Sequence, residues 1–427
     1  MRLCGVTESD ARRAVDAVWR IESGRVIAGL TRVFRDVGLA EDMAQDALVA
    51  ALEQWPGDGV PRNPGAWLMT TARHRAIDAV RRRERLARKV DELGHELELD
   101  RGESVAADFA AEVAAAVDGR IEDDLLRLVF TICHPVLSPQ ARVALTLRLL
   151  GGLRTDEIAR AFLVGEPTVA QRIVRAKRTL ARERVPFEVP EGPLLGERLA
   201  SVLEVVYLIF NEGYAATAGD DWMRPELCGE ALRLGRVLAG LMPGEPEVHG
   251  LVALMEIQAS RSAARTTASG EPVLLMDQDR SRWDQLLIRR GLAALERAEA
   301  LGPPGPYGLQ AAVAACHARA RTGEETDWAR IAALYGELAR RMPSPVVELN
   351  RAVAVSRAEG PAAGLELVDA LAGEPALKEY HLLPSVRGDL LAGLGRMTEA
   401  RAEFERAAAL TRNGRERALL LARAAGC

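Results

Sequence analysis

The sequence predicts an all-α fold, with two small helical domains followed by a longer helical region. Apolar residues recur three and four positions apart along most of the chain, which is the spacing of one helix face. Alternation of apolar and polar residues, the pattern of a strand, is scarce, and aromatic residues are only 4% of the total. With 427 residues, the chain is long enough for about three domains, each with its own apolar core.

Composition argues against several classes of protein. Five cysteines are scattered without a Cys-x-x-Cys pair, so neither a disulfide framework nor a zinc site is expected. The sequence has no glycine-rich phosphate loop and no group of catalytic side chains, and we predict no enzyme activity, metal or cofactor. No apolar run approaches the roughly 20 residues that span a bilayer, and the first residues lack a signal peptide's apolar core. We therefore expect a cytoplasmic protein without a membrane segment.

The first predicted domain covers residues 12–89. After helices around Trp19 and Leu30, a helix over residues 40–48 carries one exposed polar face, which Val49 interrupts. That face consists of Asp42, Gln45 and Asp46.

A loop over residues 57–64 then leads into an amphipathic helix that begins at Trp67 and runs to about Lys89. Its expected inward side chains are Leu68, Ala72, Ala76, Ile77 and Val80. Trp67 opens the helix on its buried side and is expected to belong to the core. Between Arg62 and Lys89 the chain carries nine basic and two acidic residues, which makes this helix a candidate surface for phosphates.

An acidic linker is predicted over residues 90–120, with weak periodicity and one short helix near Phe109. From Asp91 to Asp124 there are twelve acidic and two basic residues, so the linker separates two basic regions. The mild net charge of −5 therefore conceals a strongly uneven distribution of charge.

The second predicted domain covers residues 121–185 and contains two short helices separated by a tight turn. If Pro167 is the first residue of the second helix, one stripe of that helix is apolar. It consists of Val169, Ile173, Ala176 and Leu180. The opposite stripe can reach base edges and phosphates in a major groove, and it consists of Thr168, Gln171, Arg172 and Arg175. This pattern predicts a DNA-binding helix-turn-helix; the alternative is an ordinary helical hairpin with a solvated basic face.

The third predicted domain covers residues 195–427, beyond a proline-marked boundary at residues 186–193. Near its end, small residues and one aromatic residue fall at positions typical of tetratricopeptide repeats: Gly388, Gly395, Ala400, Phe404 and Ala407. An earlier unit around Ala363, Leu367 and Ala370 precedes this one by 37 residues, which implies an insertion near Pro375. Residues 309–342 form a more degenerate candidate unit, and Gly213 predicts a turn that ends a helix.

The order of these elements resembles that in the sigma-70 family of bacterial RNA polymerase initiation factors. The elements are the polar helix, the loop, the basic helix that begins at Trp67, the acidic spacer and the helix-turn-helix. The resemblance is to the compact extracytoplasmic-function (ECF) group and covers about residues 12–184. Residues 205–234 resemble the extension of one ECF subgroup that carries a tetratricopeptide-like C-terminal domain.

The resemblance implies that core RNA polymerase and promoter DNA are the partners. Polymerase binding is then expected at Asp42, Gln45 and Asp46. Contacts with the −10 promoter element are expected from Arg62, Asn63, Arg73, His74 and Arg81. The −35 element is expected to be read by Thr168, Gln171, Arg172 and Arg175, with Arg178 and Arg182 as phosphate contacts. His74 is a departure, since many relatives have asparagine there.

Residues 195–427 exceed the minimal two-domain plan of this group, and they are acidic on balance. We expect them to modulate the sigma domains, through contact with those domains or with a regulatory protein, either as an inhibitor or as a required brace. A different class of function is a helix-turn-helix regulator or tetratricopeptide scaffold that does not act with polymerase. The Asp42 helix and the Trp67 helix favour the sigma factor, because a plain regulator needs neither.

Overall fold

The computed structural model describes residues 8–92 and 121–427, and the side chains of residues 12–78 and 122–427. The described part contains α-helices and short 3-10 turns but no β-strand, which confirms the all-α prediction. The helix predicted near Phe109 lies outside the described residues. The chain divides into two compact units, residues 1–205 and 206–427.

Among the described residues, eight helices belong wholly or partly to the first unit. They are α1 (Glu8–Phe34), α2 (Val37–Asp58), α3 (Pro64–Glu92), α4 (Ile121–Ile132), α5 (Pro139–Leu149), α6 (Thr155–Phe162), α7 (Glu166–Arg182) and α8 (Pro193–Tyr214).

Helices α1, α2 and α3 pack together around small side chains of α2. Ala40, Ala44, Ala47 and Ala51 are all fully buried, at the spacing of one helix face. Asp36 caps α2 by accepting hydrogen bonds from the amides of Gly38 and Leu39, at 2.8 and 3.1 Å. Trp67 is half-buried rather than fully buried, and its ring meets the edge of Trp55 at a centroid distance of 5.4 Å.

The predicted helix-turn-helix is formed by α6 and α7. Helix α7 begins at Glu166, so Pro167 occupies its second position rather than its first. The predicted apolar stripe is confirmed, because Val169, Ile173, Ala176 and Leu180 are each at most 5% exposed.

The start of α8 packs on α4 and α5 within the first unit. Arg198 donates to the carbonyl of Phe130 at 2.6 Å, and Ser201 donates to the carbonyl of Cys133 at 2.6 Å. Arg142, only 6% exposed, pairs with Glu204 at 2.9 Å. These contacts explain why the division between the units lies inside α8, beyond the prolines at which the sequence predicts a boundary.

The second unit consists of the end of α8 and ten further helices among the described residues. They are α9 (Pro225–Leu241), α10 (Pro246–Ser260), α11 (Gln285–Leu301), α12 (Pro306–Arg319), α13 (Trp328–Arg341), α14 (Pro345–Glu359), α15 (Pro361–Ala370), α16 (Leu382–Gly393), α17 (Met397–Leu410) and α18 (Gly414–Ala425). Most neighbours in sequence pack against each other, as in helical repeat proteins.

The predicted repeat positions lie on helices that pack against each other. Gly388 in α16 faces Phe404 in α17, and a Cβ atom at Gly388 would lie 2.8 Å from that ring. The insertion predicted near Pro375 is a 3-10 turn over Pro375–Leu377 between α15 and α16. The prediction of a turn at Gly213 was wrong, because α8 continues to Tyr214. Glycine is required there for close packing, since a Cβ atom would lie 2.5 Å from the amide nitrogen of Cys228.

The first and last parts of the second unit are tied together by Asn413. This side chain is 1% exposed and donates to the carbonyls of Ala216 and Asp221, at 3.2 and 2.8 Å. The amide of Gly414 donates to the carbonyl of Gly219 at 2.9 Å.

Candidate nucleic-acid interface

The first candidate surface is a groove beside α7, the reading helix. A depression of about 360 Å³ is lined by Thr168, Gln171, Arg172 and Arg175, all four residues that the sequence predicts as readers. Thr168, Gln171 and Arg175 are exposed, and Arg172 is half-buried. Helix α7 thus presents hydroxyl, amide and guanidinium groups on one side and its apolar stripe on the other. Those groups suit hydrogen bonding to base edges in a major groove.

The N-terminus of α5 lies at the same groove, a feature that the sequence analysis missed. Ser138 caps α5 by accepting from the amide of Ala141 at 3.4 Å, and it lines the groove together with Val136 and Thr179. A helix N-terminus carries partial positive charge and free amides, which favour a phosphate. The Ser-Pro pair at residues 138–139 is the start signal that could have revealed this helix end.

The basic residues in the second half of α7 have different surroundings. Arg178 and Arg182 are exposed, as phosphate contacts require, and Arg182 also pairs with the neighbouring Glu183 at 3.0 Å. Lys177 instead turns towards α2, where it forms an ion pair with Glu41.

The second candidate surface is a cavity of about 450 Å³ between α1 and α3, and Glu122 and Asp124 of α4 complete its wall. Asn63 and Arg73 line it, and the sequence analysis missed Arg25 and Thr70, which line it as well. Asn63 caps α3 by accepting from the amide of Ala66 at 3.1 Å, which leaves its amide group available as a donor.

The structure does not gather all the residues predicted for the −10 element. Arg62 and His74 are exposed but do not line the cavity. The side chain of Arg81 lies outside the described residues, although α3 extends past it. Asn63 and Arg73 are therefore the two predicted −10 residues that the structure brings together.

The predicted polar face of α2 is exposed only in part. Asp42 and Asp46 are exposed, whereas Gln45 is half-buried and donates to Glu41. Val49 is 52% exposed and extends the same face. Partial burial raises the pKa of Asp42, and the Lys177 ammonium nearby opposes that rise.

Among the described residues, no group of three or more His, Cys, Asp or Glu side chains is placed to hold a metal ion. Within the same part of the chain, no helix combines the length and apolar character that crossing a membrane requires.

Comparison with known proteins assigns both surfaces to described families. Residues 20–86 match the family model for sigma-70 region 2, and residues 133–180 match the model for sigma-70 region 4. Residues 198–299 match a family of unknown function (DUF6596), which includes most of α8 and the helices up to α11. Region 2 denotes helices α1–α3, and region 4 denotes helices α4–α7.

Individual relatives extend this result. An uncharacterized protein of Rhizobium meliloti (strain 1021) is 46% identical over 398 residues, which is 93% of this chain and 92% of the relative. The ECF RNA polymerase sigma factor SigK of Mycobacterium bovis (strain BCG / Pasteur 1173P2) is 31% identical over 163 residues, covering 36% of this chain and 78% of SigK. SigK of Mycobacterium ulcerans (strain Agy99) is 31% identical over 160 residues, with the same coverage. The chain therefore belongs to the ECF sigma factors of RNA polymerase, the class of protein that directs transcription initiation.

Proposed function

We propose that this chain binds core RNA polymerase through α2 and reads two promoter elements with the groove beside α7 and the cavity between α1 and α3. The observation that carries the proposal is the presence of both surfaces on one compact unit, because a plain helix-turn-helix regulator needs only one. The same function makes the cytoplasm its place of action.

At the −35 element, Gln171 and Arg172 are proposed to contact base edges, where amide and guanidinium groups form paired hydrogen bonds with purines. Thr168 and Arg175 flank them in the groove, and both are exposed. Arg178 and Arg182 lie further along the helix and are proposed to contact phosphates, which fix position without selecting sequence.

At the −10 element, the cavity beside Asn63 and Arg73 is proposed to receive a base from the opened strand. Its volume of about 450 Å³ is within the range of small-molecule sites, and its lining combines apolar, cationic and acidic groups. Unstacked bases bind to such mixed surfaces by stacking and hydrogen bonding. Arg62, His74 and Arg81 are proposed to support the backbone of that strand from outside the cavity.

Polymerase binding is proposed for the exposed face of α2 that contains Asp42, Gln45 and Asp46. Two exposed carboxylates with Val49 beside them form a small surface that is acidic at its centre and apolar at its edge. Such a surface suits a basic helical partner, in which complementary charge speeds association.

The C-terminal unit is proposed to be a required brace for the sigma regions. Its helix pairs and the Asn413 tie give it the construction of a helical repeat protein, a class that binds peptides and other domains along extended surfaces. We favour a brace over an inhibitor because an inhibitor needs a release switch, and the second unit offers no candidate for one.

Run-off transcription with core polymerase on a random promoter library tests the whole proposal. Full-length protein should direct transcripts from a defined subset of the library, with two enriched sequence blocks upstream of the start site. Absence of both a pull-down with core polymerase and a promoter-dependent transcript would refute it.

A further inference from the structure

The first half of α8 supplies hydrogen-bond donors to the carbonyls at the end of α4. Helix α4 ends at Ile132, and the last carbonyls of a helix have no partner within that helix. Nη2 of Arg198 donates to the carbonyl of Phe130 at 2.6 Å, and Oγ of Ser201 donates to the carbonyl of Cys133 at 2.6 Å. Cys133 is 1% exposed, so the loss of its donor would leave a carbonyl unpaired in the interior.

The same part of α8 also holds the beginning of α5. Arg142 of α5 is 6% exposed, and its Nη1 donates to Oγ of Ser201 and pairs with Glu204 at 2.9 Å. Ser201 is itself 7% exposed, and its single hydroxyl group accepts from α5 while it donates to the end of α4. One side chain of α8 thus connects the two helices on either side of a turn.

The turn that Ser201 connects also lines the groove beside α7. It consists of residues 133–138, and we refer to it as the α4–α5 turn. At one end of this turn, the carbonyl of Cys133 accepts from Ser201. At the other end, Ser138 caps α5 and lines the groove together with Val136. The position of this wall of the groove therefore depends on contacts that α8 makes.

A neutral histidine closes the α4–α5 turn. Nδ1 of His134 accepts from the amide of Val136 at 3.1 Å, which a protonated ring cannot do. Burial and the charge of Arg198 both lower the pKa of His134. Arg198 of α8 thereby favours the form of the ring that closes the turn.

We propose that the first half of α8, residues 193–205, is a functional part of region 4, and that Ser201 is a positioning residue for −35 recognition. It fixes the α4–α5 turn, so that Ser138 and the start of α5 keep their place at the groove. Arg198, Ser201 and Glu204 belong to the segment that matches a family of unknown function, and the inference gives the start of that segment a role. This inference rests on the proposed function, but the positioning of the turn can be measured without DNA.

The first experiment measures hydrogen exchange in the free full-length protein, by mass spectrometry of peptides that cover the α4–α5 turn. The amide of Leu137 donates to the carbonyl of His134 at 3.0 Å, and the amide of Cys133 donates to Val129 at 3.1 Å. Ser201→Ala removes both hydrogen bonds of the hydroxyl group, so these amides should exchange about tenfold faster. Exchange in α2 should stay unchanged, which separates local loosening from global unfolding.

Glu204→Ala is a second variant, which removes the carboxylate partner of Arg142 from a half-exposed position and should change exchange in the same direction. Glu197→Ala, at an exposed position in the same half of α8, is the matched control and should leave exchange in the turn unchanged. Unchanged exchange in both Ser201→Ala and Glu204→Ala would overturn the proposal. Equally fast exchange in Glu197→Ala would overturn it as well.

The second experiment measures how strongly the full-length holoenzyme prefers promoter fragments with the selected −35 sequence over fragments with a scrambled one. Ser201→Ala and Ser138→Ala should each lower this preference by about fivefold. Because both act through the α4–α5 turn, the double variant should lose little more than the larger single loss. A merely structural role for Ser201 would leave the preference unchanged below the unfolding temperature.

The outcomes separate this inference from the proposed function. An unchanged preference in Ser201→Ala, or losses that add fully in the double variant, would refute the link between α8 and the groove. A parent protein that protects the α4–α5 turn but selects no −35 sequence would refute the proposed function, while the positioning of the turn by Ser201 would stand.

Discussion

Substitutions of Gln171 and Arg172 should affect DNA binding differently from a substitution of Arg182 on the same helix, α7. Gln171→Ala and Arg172→Ala should change −35 sequence preference, with a loss of about 1–3 kcal/mol on the preferred sequence for each paired base contact. Arg182→Ala should weaken binding evenly on all sequences and reduce the salt slope by about one. Binding of full-length holoenzyme to a panel of −35 variants measures both effects. An even loss on every sequence for Arg172→Ala would make Arg172 a phosphate contact.

A buried histidine in the second unit should make its stability depend on pH. His317 is 8% exposed, and burial together with Arg261 and Arg280 lowers its pKa to about 4. An unfolded histidine titrates near 6.5, so the unfolded state binds the proton first as pH falls. Stability is therefore retained above about pH 6.5 and lost towards pH 4, by up to about 3 kcal/mol.

Urea unfolding at pH 7 and pH 5 measures this dependence. His317→Leu should flatten it, since leucine fills the space beside Trp328 without titrating. His74→Gln, at an exposed histidine, is the control and should leave the dependence unchanged. If His317→Leu loses as much stability at pH 5 as the parent protein does, groups other than His317 cause the loss.

Residues of the reading groove were predictable because helical spacing fixes which side chains share a face. Thr168 and Arg175 are seven positions apart and line one groove, as the pattern requires. The ion pairs of Glu41 with Arg148 and Lys177 were not predictable, since these partners are distant from Glu41 in sequence. The cavity beside Asn63 was also not predictable, because α1 and α4, which are distant from Asn63 in sequence, supply part of its wall.

At the scale of helices, Gly388→Ala and Gly336→Ala are matched substitutions that should change stability in opposite directions. Gly388→Ala places a Cβ atom 2.8 Å from the ring of Phe404, so α16 and α17 must separate. We expect a loss of about 1–3 kcal/mol, the range for overpacking. Gly336→Ala in α13 meets nothing within 4 Å, and it should gain about 0.5–1 kcal/mol from better helix propensity. Denaturant unfolding of the full chain measures both changes, and equal effects would contradict the repeat packing.

The turn of the helix-turn-helix contains a leucine in a left-handed conformation. Leu163 has φ +49° and is 54% exposed, so its side chain gains little from burial. Leu163→Gly should relieve strain of about 1 kcal/mol, although glycine's greater freedom in the unfolded state offsets part of it. A small rise in midpoint on thermal unfolding is expected, with −35 binding unchanged. A fall of several degrees would show that the leucine side chain stabilises the turn.

Helices were predicted better than their ends. The apolar stripe of α7 was correct in every position, whereas the helix begins one residue before the predicted start at Pro167, and Gly213 lies inside α8. Glycine signals either a turn or a close contact, and only the position of α9 decides between them. The pair α16–α17, and α15 of the preceding unit, were found from the spacing of small and large apolar residues, because such packing leaves a spacing in the sequence.

At the scale of the whole molecule, the order of regions followed from the sequence, but their packing did not. Charge alternation suggested two basic regions joined by an acidic spacer, and it carries no information on whether the two regions touch. The contact of Gly152 with α1 depends on backbone shape, and nothing in the local pattern marks it. The division inside α8 escaped prediction because Arg142 and Glu204 are paired only in three dimensions.

These contacts decide where the chain should be cut to test the C-terminal unit. A fragment of residues 1–192 lacks Arg198, Ser201 and Glu204, and it leaves the buried Arg142 without its carboxylate partner. Loss of one partner of a buried ion pair costs about 3–5 kcal/mol, although the exposure of Glu204 lowers this figure. A fragment of residues 1–205 keeps all three contacts and should unfold cooperatively at a higher temperature than 1–192.

Transcription by the 1–205 fragment then reports on the extension alone. If the C-terminal unit is a required brace, its removal should lower promoter-specific transcription about tenfold or more at equal protein concentration, which is equivalent to about 1.4 kcal/mol. Increased transcription would instead make the extension an inhibitor, and unchanged output with unchanged salt sensitivity would exclude both roles.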